Sequence, residues 1–338
     1  MLPKLDVCIT ADIEFSINEA FKYPERKQPA GTHYVMRMSE GKSHGLGFIL
    51  STLEDYGLLG TFFLEVLNIY YFGYTEMQTV ARQIIEKDQD IQLHLHPCWN
   101  YFKAHNWMEL LKSNPPNDYM VGRSLSEVRK IIQEGMAIFK SLTGRSPLAL
   151  RTGSFNVDKN VYTAMAGAGM FLSSNIGLAY FYPQEEELHR HGGLALIAEV
   201  TEAPVLSYQL YKIGNKVQQK LLTITGSSWS EIKHLLLGAW RQQAGPVVIL
   251  THSHEFSSEH GTAAVPDYRP HLVNQQRFRK LCHFLKENSH LFEVVSFSQR
   301  AEQWRALAPR QVEPLKTPLR SIFFRTLENK FLPVILGY

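Results

Sequence analysis

Long apolar runs and abundant cysteine are both missing from this chain of 338 residues. No stretch reaches the roughly 18 to 20 apolar residues that a membrane-spanning helix needs, so we expect no integral membrane insertion. The three cysteines, Cys8, Cys98 and Cys282, are too few and too widely spaced for a disulfide framework, which favours free thiols in a reducing compartment. The N-terminus enters a strand pattern without the features of a signal peptide, so we expect a soluble, cytoplasmic protein.

Positive and negative charges are nearly balanced. Lysine and arginine number 35 against 32 aspartates and glutamates, and no long basic run occurs. Proteins that bind nucleic acids usually carry a basic patch, so this balance predicts no nucleic-acid partner. With 44% apolar residues the chain can bury a large core, and we favour one barrel-sized domain over two smaller ones.

Short apolar runs alternate with helical periodicity over nearly 300 residues. Repeated strand–helix units imply an α/β fold with a parallel sheet, either closed as a barrel or open and doubly wound. The predicted strands are Val7–Thr10, Gly60–Leu67, Ile91–Leu95, Pro147–Leu150, Leu221–Ile224, Pro246–Thr251 and Phe292–Val295. The predicted helices lie near Phe48–Tyr56, Glu76–Lys87, Ser124–Leu142, Ser230–Gln242 and Asn274–Lys286, and Ser124 with Glu127 forms a capping-box signature.

Two segments depart from this alternation. Residues 175–217 fit it worst and are predicted to be an irregular excursion over the sheet. From Arg310 onward five basic residues meet two acidic ones, and the chain ends in apolar residues. We therefore assign residues 1–308 to the barrel-like domain and 309–338 to a C-terminal appendage. The appendage either packs on the domain or on a second subunit, or it contacts an acidic membrane surface. The sequence leaves the oligomeric state open.

Two acids follow the first predicted strand, in the order Thr10-Ala11-Asp12-Ile13-Glu14. Because side chains alternate across a strand, Asp12 and Glu14 can converge on one site. Carboxylates after a strand also act as helix caps or remain solvated, so the pair alone does not decide.

Two histidines, His94 and His96, lie at the end of the predicted strand near residue 95. They share a face of the strand, and neutral imidazoles at that spacing are natural ligands for zinc or a similar divalent ion. The alternative is that one histidine satisfies a core hydrogen bond and the other is exposed.

An arginine and a second His-X-His pair complete the pattern. Arg151 follows a strand and can hold a catalytic carboxylate ionised through a two-pronged hydrogen bond, or it is a surface charge. His252 and His254 follow the most apolar strand, and either could serve as a general acid or as a further ligand.

All of these residues stand at the carboxyl ends of predicted parallel strands, where α/β barrels and open α/β sheets place their active sites. Two acids, two ligand-spaced histidines, an arginine and a further histidine are the components of metal-assisted hydrolysis.

The order of these motifs resembles that in the polysaccharide deacetylases with the NodB-homology domain, a group similar to carbohydrate esterase family 4. The resemblance covers roughly residues 5–300. Thr10–Glu14 is similar to the first motif of that family, and Thr61-Phe62-Phe63 to its Thr-Phe-Phe strand. His94–Pro97 resembles the second motif, Arg151–Phe155 the third and Leu250–His254 the last. The chain looks most like a divergent, WbmS-type branch.

The resemblance implies a NodB-type distorted (β/α)7 barrel of parallel strands. It also implies Asp12 as the general base, Glu14, His94 and His96 as metal ligands, and a histidine as the general acid. The spacing departs from the common family pattern, which has adjacent acids and three residues between the metal-binding histidines. Asp12 therefore stays among the ligand candidates, and the choice between His252 and His254 stays open.

The function that the resemblance implies is removal of an N-acetyl group from a sugar by metal-activated water, with Asp12 as base, Arg151 orienting it and a histidine as acid. Zn²⁺ is the expected ion, and an acetylated sugar the expected partner. A nucleotide- or lipid-linked precursor of a surface polysaccharide or O-antigen suits a cytoplasmic enzyme. The alternatives are a degenerate sugar-binding or scaffold barrel, and a metal-dependent amidohydrolase or phosphoesterase of another family.

Overall fold

The computed structural model describes residues 2–213, 216–262 and 265–318, together with Ser321, Arg325, Glu328 and Asn329. Strands and helices alternate along these residues. The strands are β1 Leu5–Ile13, β2 Met38–Ser39, β3 Lys42–Ser43, β4 Gly60–Glu65, β5 Asp90–Leu95, β6 Ala149–Thr152, β7 Leu172–Ser173, β8 Ala195–Ile197, β9 Val200–Glu202, β10 Ser207–Ile213, β11 Lys216–Leu221, β12 Val247–His252, β13 Ser257–Thr262, β14 Val265–Pro270, β15 Phe292–Val294 and β16 Leu315–Lys316.

Helices connect these strands. They are α1 Thr32–Met36, α2 Leu46–Tyr56, α3 Ile69–Phe72, α4 Tyr74–Ile85, α5 Trp107–Leu110, α6 Leu125–Thr143, α7 Lys159–Gly167, α8 Trp229–Gln242, α9 Leu272–Glu287 and α10 Phe297–Ala306, with 3₁₀ helices at Pro97–Lys103, Gly153–Phe155, Glu186–Leu188 and Ser253–Phe256. Among the described residues, no helix is long and apolar enough to cross a membrane.

Seven strands lie side by side and parallel, in the order β12, β1, β4, β5, β6, β7 and β9. Strand β15 pairs in parallel with the start of β1, and β8 adds an antiparallel edge to β9. Single parallel bridges, Val205 with Val248 and Thr223 with Leu250, connect later segments to β12. The sheet therefore curls into a half-barrel with helices around it, which confirms the expected α/β class and distorted (β/α) barrel.

The parallel strands are buried along almost their whole length. Every residue of β4 is buried, and so are the first five residues of β12. Parallel sheets with helices outside are covered on both faces, so their strands read as continuous apolar runs. This burial is why the parallel strands could be predicted from apolar runs in the sequence. The capping box at Ser124 and Glu127 opens α6 as predicted, with both reciprocal hydrogen bonds present.

Two predictions for residues 175–224 are wrong in part. The segment described as irregular contains β8, β9 and β10, and the predicted strand Leu221–Ile224 is instead the end of β11 followed by one bridge at Thr223. β10 and β11 form an antiparallel hairpin. Such strands lack the long apolar run of a buried parallel strand, so their pattern was not recognised in the sequence.

The appendage predicted over residues 309–338 lies largely outside the described residues. Within the described part, β16 pairs in parallel with β10. Arg325 Nη1 lies 2.8 Å from Glu231 Oε1 on α8, and Arg277 Nη2 on α9 lies 2.9 Å from Glu328 Oε2. These contacts join the appendage to the outer helices. The domain boundary and the membrane contact stay predictions.

Close packing of α6 on the strand that carries the two histidines generates a testable expectation. A Cβ added at Gly135 in α6 would lie 2.5 Å from Leu95 Cδ2, between His94 and His96 in the chain, and Leu95 is fully buried. Alanine gains about 1 kcal/mol of helix propensity over glycine, but overpacking a core costs about 1–3 kcal/mol. We expect Gly135→Ala to lower the free energy of unfolding measured by chemical denaturation.

Gly238→Ala is the matched control, because a Cβ added there in α8 meets its nearest neighbour, Leu315 Cδ2, at an ordinary 3.6 Å. We expect it to raise the free energy of unfolding by up to about 1 kcal/mol. A Gly135→Ala variant that is stabilised as much as Gly238→Ala would contradict the tight packing of α6 on β5.

Candidate active site

The four predicted constellations stand next to one another at the carboxyl edge of the sheet. Strands β12, β1, β4, β5 and β6 are consecutive neighbours. The pairing register sets Asp12 opposite His252 and His94 opposite Arg151. A cavity of about 340 Å³ opens at this edge and is lined by Asp12, Glu14, His94, His96, Ser154, Phe155, Tyr180 and His252.

Three of these side chains form a group that could hold a metal ion. The ligand atoms of Glu14, His94 and His96 all lie within 4.8 Å of one another. Glu14 Oε2 is 3.4 Å from Nε2 of His94 and 2.8 Å from Nε2 of His96. Asp12, which the sequence left among the ligand candidates, does not belong to this group.

The hydrogen bonds of both imidazoles fit a metal site. Nδ1 of His94 lies 2.9 Å from the carbonyl oxygen of Arg151, which can only accept, so Nδ1 carries the hydrogen. Nδ1 of His96 lies 2.6 Å from Oδ2 of Asp118 and donates to it in the same way. In both residues Nε2 is the nitrogen that faces Glu14. Metal-binding histidines typically donate their other N–H to a carbonyl or a carboxylate, so this donor set fits a divalent ion.

Charge inside the group is arranged around His96. Burial alone would raise the pKa of Glu14, but His96 and His94 hold it well below its usual value. Burial alone would lower the pKa of His96, yet Asp118 and Glu14 raise it well above the usual value. A bound cation would replace the positive charge that the histidine provides when protonated.

Asp12 has a different partner. Its carboxylate is buried, and Oδ1 accepts a hydrogen bond of 2.6 Å from Nη1 of Arg151, whose side chain is fully buried. Arg151 also donates to Thr10 Oγ1 and, through Nε and Nη2, to Ser174. The two-pronged bond expected from the sequence is therefore corrected to a single one, because the other nitrogens of the guanidinium are engaged elsewhere.

The second histidine pair is divided between two environments. His252 lines the cavity, and its Nε2 lies 3.9 Å from both Asp12 Oδ2 and Glu14 Oε1. Burial alone would lower the pKa of His252, but Glu255 and the two site acids raise it to about 9. His254 packs against the ring of Tyr34 and does not line this cavity; burial and the neighbouring His252 lower its pKa to about 4.

Three residues at or beside the site were not identified from the sequence. Glu255 Oε1 accepts from Nδ1 of His252 at 3.3 Å, and only its spacing of three from that histidine could have indicated it. Asp118 lies 22 residues after His96 in a loop, and Tyr180 lies in the segment described as irregular; neither carried a signal. Tyr180 is 61% exposed and stacks on Phe155 with ring centroids 5.9 Å apart.

Comparisons with solved structures show the fold. A protein from Mycobacterium smegmatis with the provisional designation polysaccharide deacetylase is 16% identical, with a TM-score of 0.53 over 94% of this chain and 96% of that chain. A family 4 carbohydrate esterase from Streptomyces lividans, solved with acetate, is 12% identical, with a TM-score of 0.43 over 90% and 98% of the two chains. No protein-family model and no curated protein matches the sequence.

The turn after β6 approaches one of the ligand candidates closely, which allows a direct test. A Cβ added at Gly153 would lie 2.4 Å from both Nδ1 and Cε1 of His96. The φ angle of Gly153 is not left-handed, so alanine suits the backbone and its methyl group must displace the imidazole. We expect Gly153→Ala to raise the zinc Kd by about 10-fold or more, measured by competition with a chelator. Zinc binding equal to that of the Gly238→Ala control would contradict a metal role for His96.

Proposed function

We propose that this protein is a metal-dependent hydrolase that removes an N-acetyl group from a sugar, a divergent relative of the polysaccharide deacetylases. The observation that carries the proposal is that the charged side chains around one cavity each have a different partner. Glu14 faces two imidazoles whose outer nitrogens are held as donors, Asp12 faces a buried arginine, and His252 is supported by its own carboxylate. The fold shared with the Mycobacterium smegmatis protein supports the same assignment.

Each polar side chain has a distinct task in this proposal. When bound by Glu14, His94 and His96, a divalent ion supplies Lewis acidity for the acyl carbonyl and for water. Asp12, held by Arg151, accepts a proton from the water that attacks the acyl carbon. His252 donates a proton to the amide nitrogen as the carbon–nitrogen bond breaks, so that acetate and an amine leave. Glu255 fixes the Nδ1 hydrogen of His252 and directs Nε2 into the cavity.

A small acylated sugar is the substrate that suits the cavity. Its volume of about 340 Å³ lies near the lower end of the range of roughly 300–1,000 Å³ for small-molecule sites. The exposed ring of Tyr180 can cover the apolar face of a sugar. We include in the proposal Zn²⁺ as the ion, a nucleotide- or lipid-linked surface-polysaccharide precursor as the substrate, and the cytoplasm as the location.

Removal of the two histidines tests the proposal first. We expect about one zinc per chain in the parent by elemental analysis, and loss of that zinc in the double variant His94→Ala/His96→Ala. Acetate release from N-acetylated sugars should fall by more than about 100-fold, because the metal supplies several kcal/mol of charge stabilisation. The control is His105→Ala/His290→Ala, since both of these histidines are exposed.

Two outcomes would count against the proposal. A parent protein that stays metal-free when zinc is supplied would favour the sugar-binding or scaffold alternative. A parent that holds zinc but releases no acetate from any acetylated sugar would contradict the hydrolase.

The pH dependence of the zinc-loaded enzyme tests the role of His252. As a proton donor it is active below its pKa, so the rate should fall as the pH rises through that pKa. Glu255 is a main cause of the raised pKa. We therefore expect Glu255→Gln to move the basic limb of the kcat/KM profile to lower pH by about one unit or more. A cation at Glu14 opposes the protonation of His252 in parent and variant alike, so the comparison is made at equal metal loading.

The exposed change Glu109→Gln is the control and should leave the profile in place. An unmoved basic limb in Glu255→Gln would show that another group is the general acid.

A further inference from the structure

The two candidate ligand histidines are held by different acceptors. His94 donates to the neutral carbonyl of Arg151, whereas His96 donates to the carboxylate of Asp118 at 2.6 Å. The other oxygen of Asp118 accepts from the backbone N–H of Cys98 at 3.1 Å. We propose that Asp118 is a positioning residue for the metal site: it fixes the tautomer and the orientation of His96 and strengthens Nε2 as a ligand. This inference rests on the proposed function.

The loop around Asp118 is built to hold it in place. Arg123 donates from Nη2 to the carbonyl of Asn117 at 2.8 Å and from Nε to the carbonyl of Tyr119 at 2.7 Å. Its guanidinium therefore binds the residues immediately before and after Asp118 in the chain. The next residues are tied to the segment after β6. Val121 N–H donates to Asn156 at 3.1 Å, and Gly122 N–H donates to Asp158 at 3.2 Å. The loop is thus anchored beside the strand that carries Arg151.

The carboxylate of Asp118 affects how strongly His96 can bind a metal ion. A negatively charged acceptor beside the Nδ1 hydrogen makes the imidazole a more basic ligand through Nε2. Loss of a hydrogen-bond partner of this kind typically lowers metal affinity by about 10–100-fold. Because Asp118 is aligned by two donors on the His96–Cys98 turn, it also fixes the ring plane. Two segments therefore constrain the ring of His96: Asp118 accepts from Nδ1, and Gly153 approaches Nδ1 and Cε1 closely.

The same atoms suggest one competing arrangement. His96, Cys98 and Asp118 also meet the geometric criterion for holding a metal ion, and a cavity of about 220 Å³ lies beside them. In that arrangement Asp118 would be a ligand itself, and His96 would bridge two ions. The positioning role is preferred because both oxygens of Asp118 already accept hydrogen bonds.

The test uses the full chain, zinc alone as the probe, and the change Asp118→Asn. We expect the zinc Kd, measured by chelator competition, to rise by about 10–100-fold while the stoichiometry stays at one ion per chain. The melting temperature of the metal-free protein should change by only a few degrees. Asp55→Asn is the control: it is the same acid-to-amide change, made at an exposed position of α2 outside this loop.

Each result decides between the possibilities. A Kd for Asp118→Asn within about threefold of the parent value, with zinc bound normally by the parent, would overturn the inference and leave the proposed function intact. Two ions in the parent and one in the variant would overturn it in favour of Asp118 as a ligand. A parent without zinc would defeat the proposed function and the inference together. If Asp118→Asn does not fold, Arg123→Gln loosens the same loop and should also raise the Kd, whereas an unchanged Kd in that variant would again overturn the inference.

Discussion

The buried ion pair between Arg151 and Asp12 is the interaction on which the site depends. Arg151 stands on β6 and Asp12 on β1, and two other strands, β4 and β5, lie between them. Its guanidinium reaches Asp12 only because the sheet curls, and it passes over the ring of Phe63 at 4.0 Å on the way. Burying two charges costs several kcal/mol each, and removing one partner of such a pair typically costs about 3–5 kcal/mol. The hydrogen bonds of Arg151 to Thr10 and Ser174 offset part of that cost.

This pairing gives different surroundings to two acids that lie close together in the chain. Asp12 and Glu14 stand two positions apart at one strand end, but only Asp12 has an arginine partner. Glu14 is left to face His94 and His96, and His252 has Glu255 as its own carboxylate. Chemically similar groups thus lie in different environments, as the carboxylates of active sites often do. From the sequence Asp12 stayed among the metal-ligand candidates beside Glu14, since the arginine that distinguishes the two acids lies about 140 residues away in the chain.

Prediction from the sequence succeeded where the signal was local and failed where it depended on loops. The buried parallel strands show as apolar runs, and the polar residues that follow them fall at one edge of the sheet by topology alone. Asp118 and Tyr180 reach the site from connecting segments with no periodic pattern, so nothing local marks them. The different surroundings of His252 and His254 could not be predicted either, because both follow the same predicted strand: His252 lines the cavity and contacts Glu255, whereas His254 packs against Tyr34.

The unusual spacing of the two histidines does not prevent both imidazoles from facing Glu14. A single residue separates His94 from His96, and β5 ends at Leu95, so the second histidine lies just beyond the regular strand. Its ring is not fixed by strand geometry, yet both Nε2 atoms face the same oxygen of Glu14. The orientation of His96 must therefore come from its surroundings: Asp118 accepts from Nδ1, and Gly153 has no side chain to push the ring away. In this chain two histidines at a strand end, with one residue between them, can thus turn toward the same carboxylate, because two loops supply the constraint that the strand no longer provides.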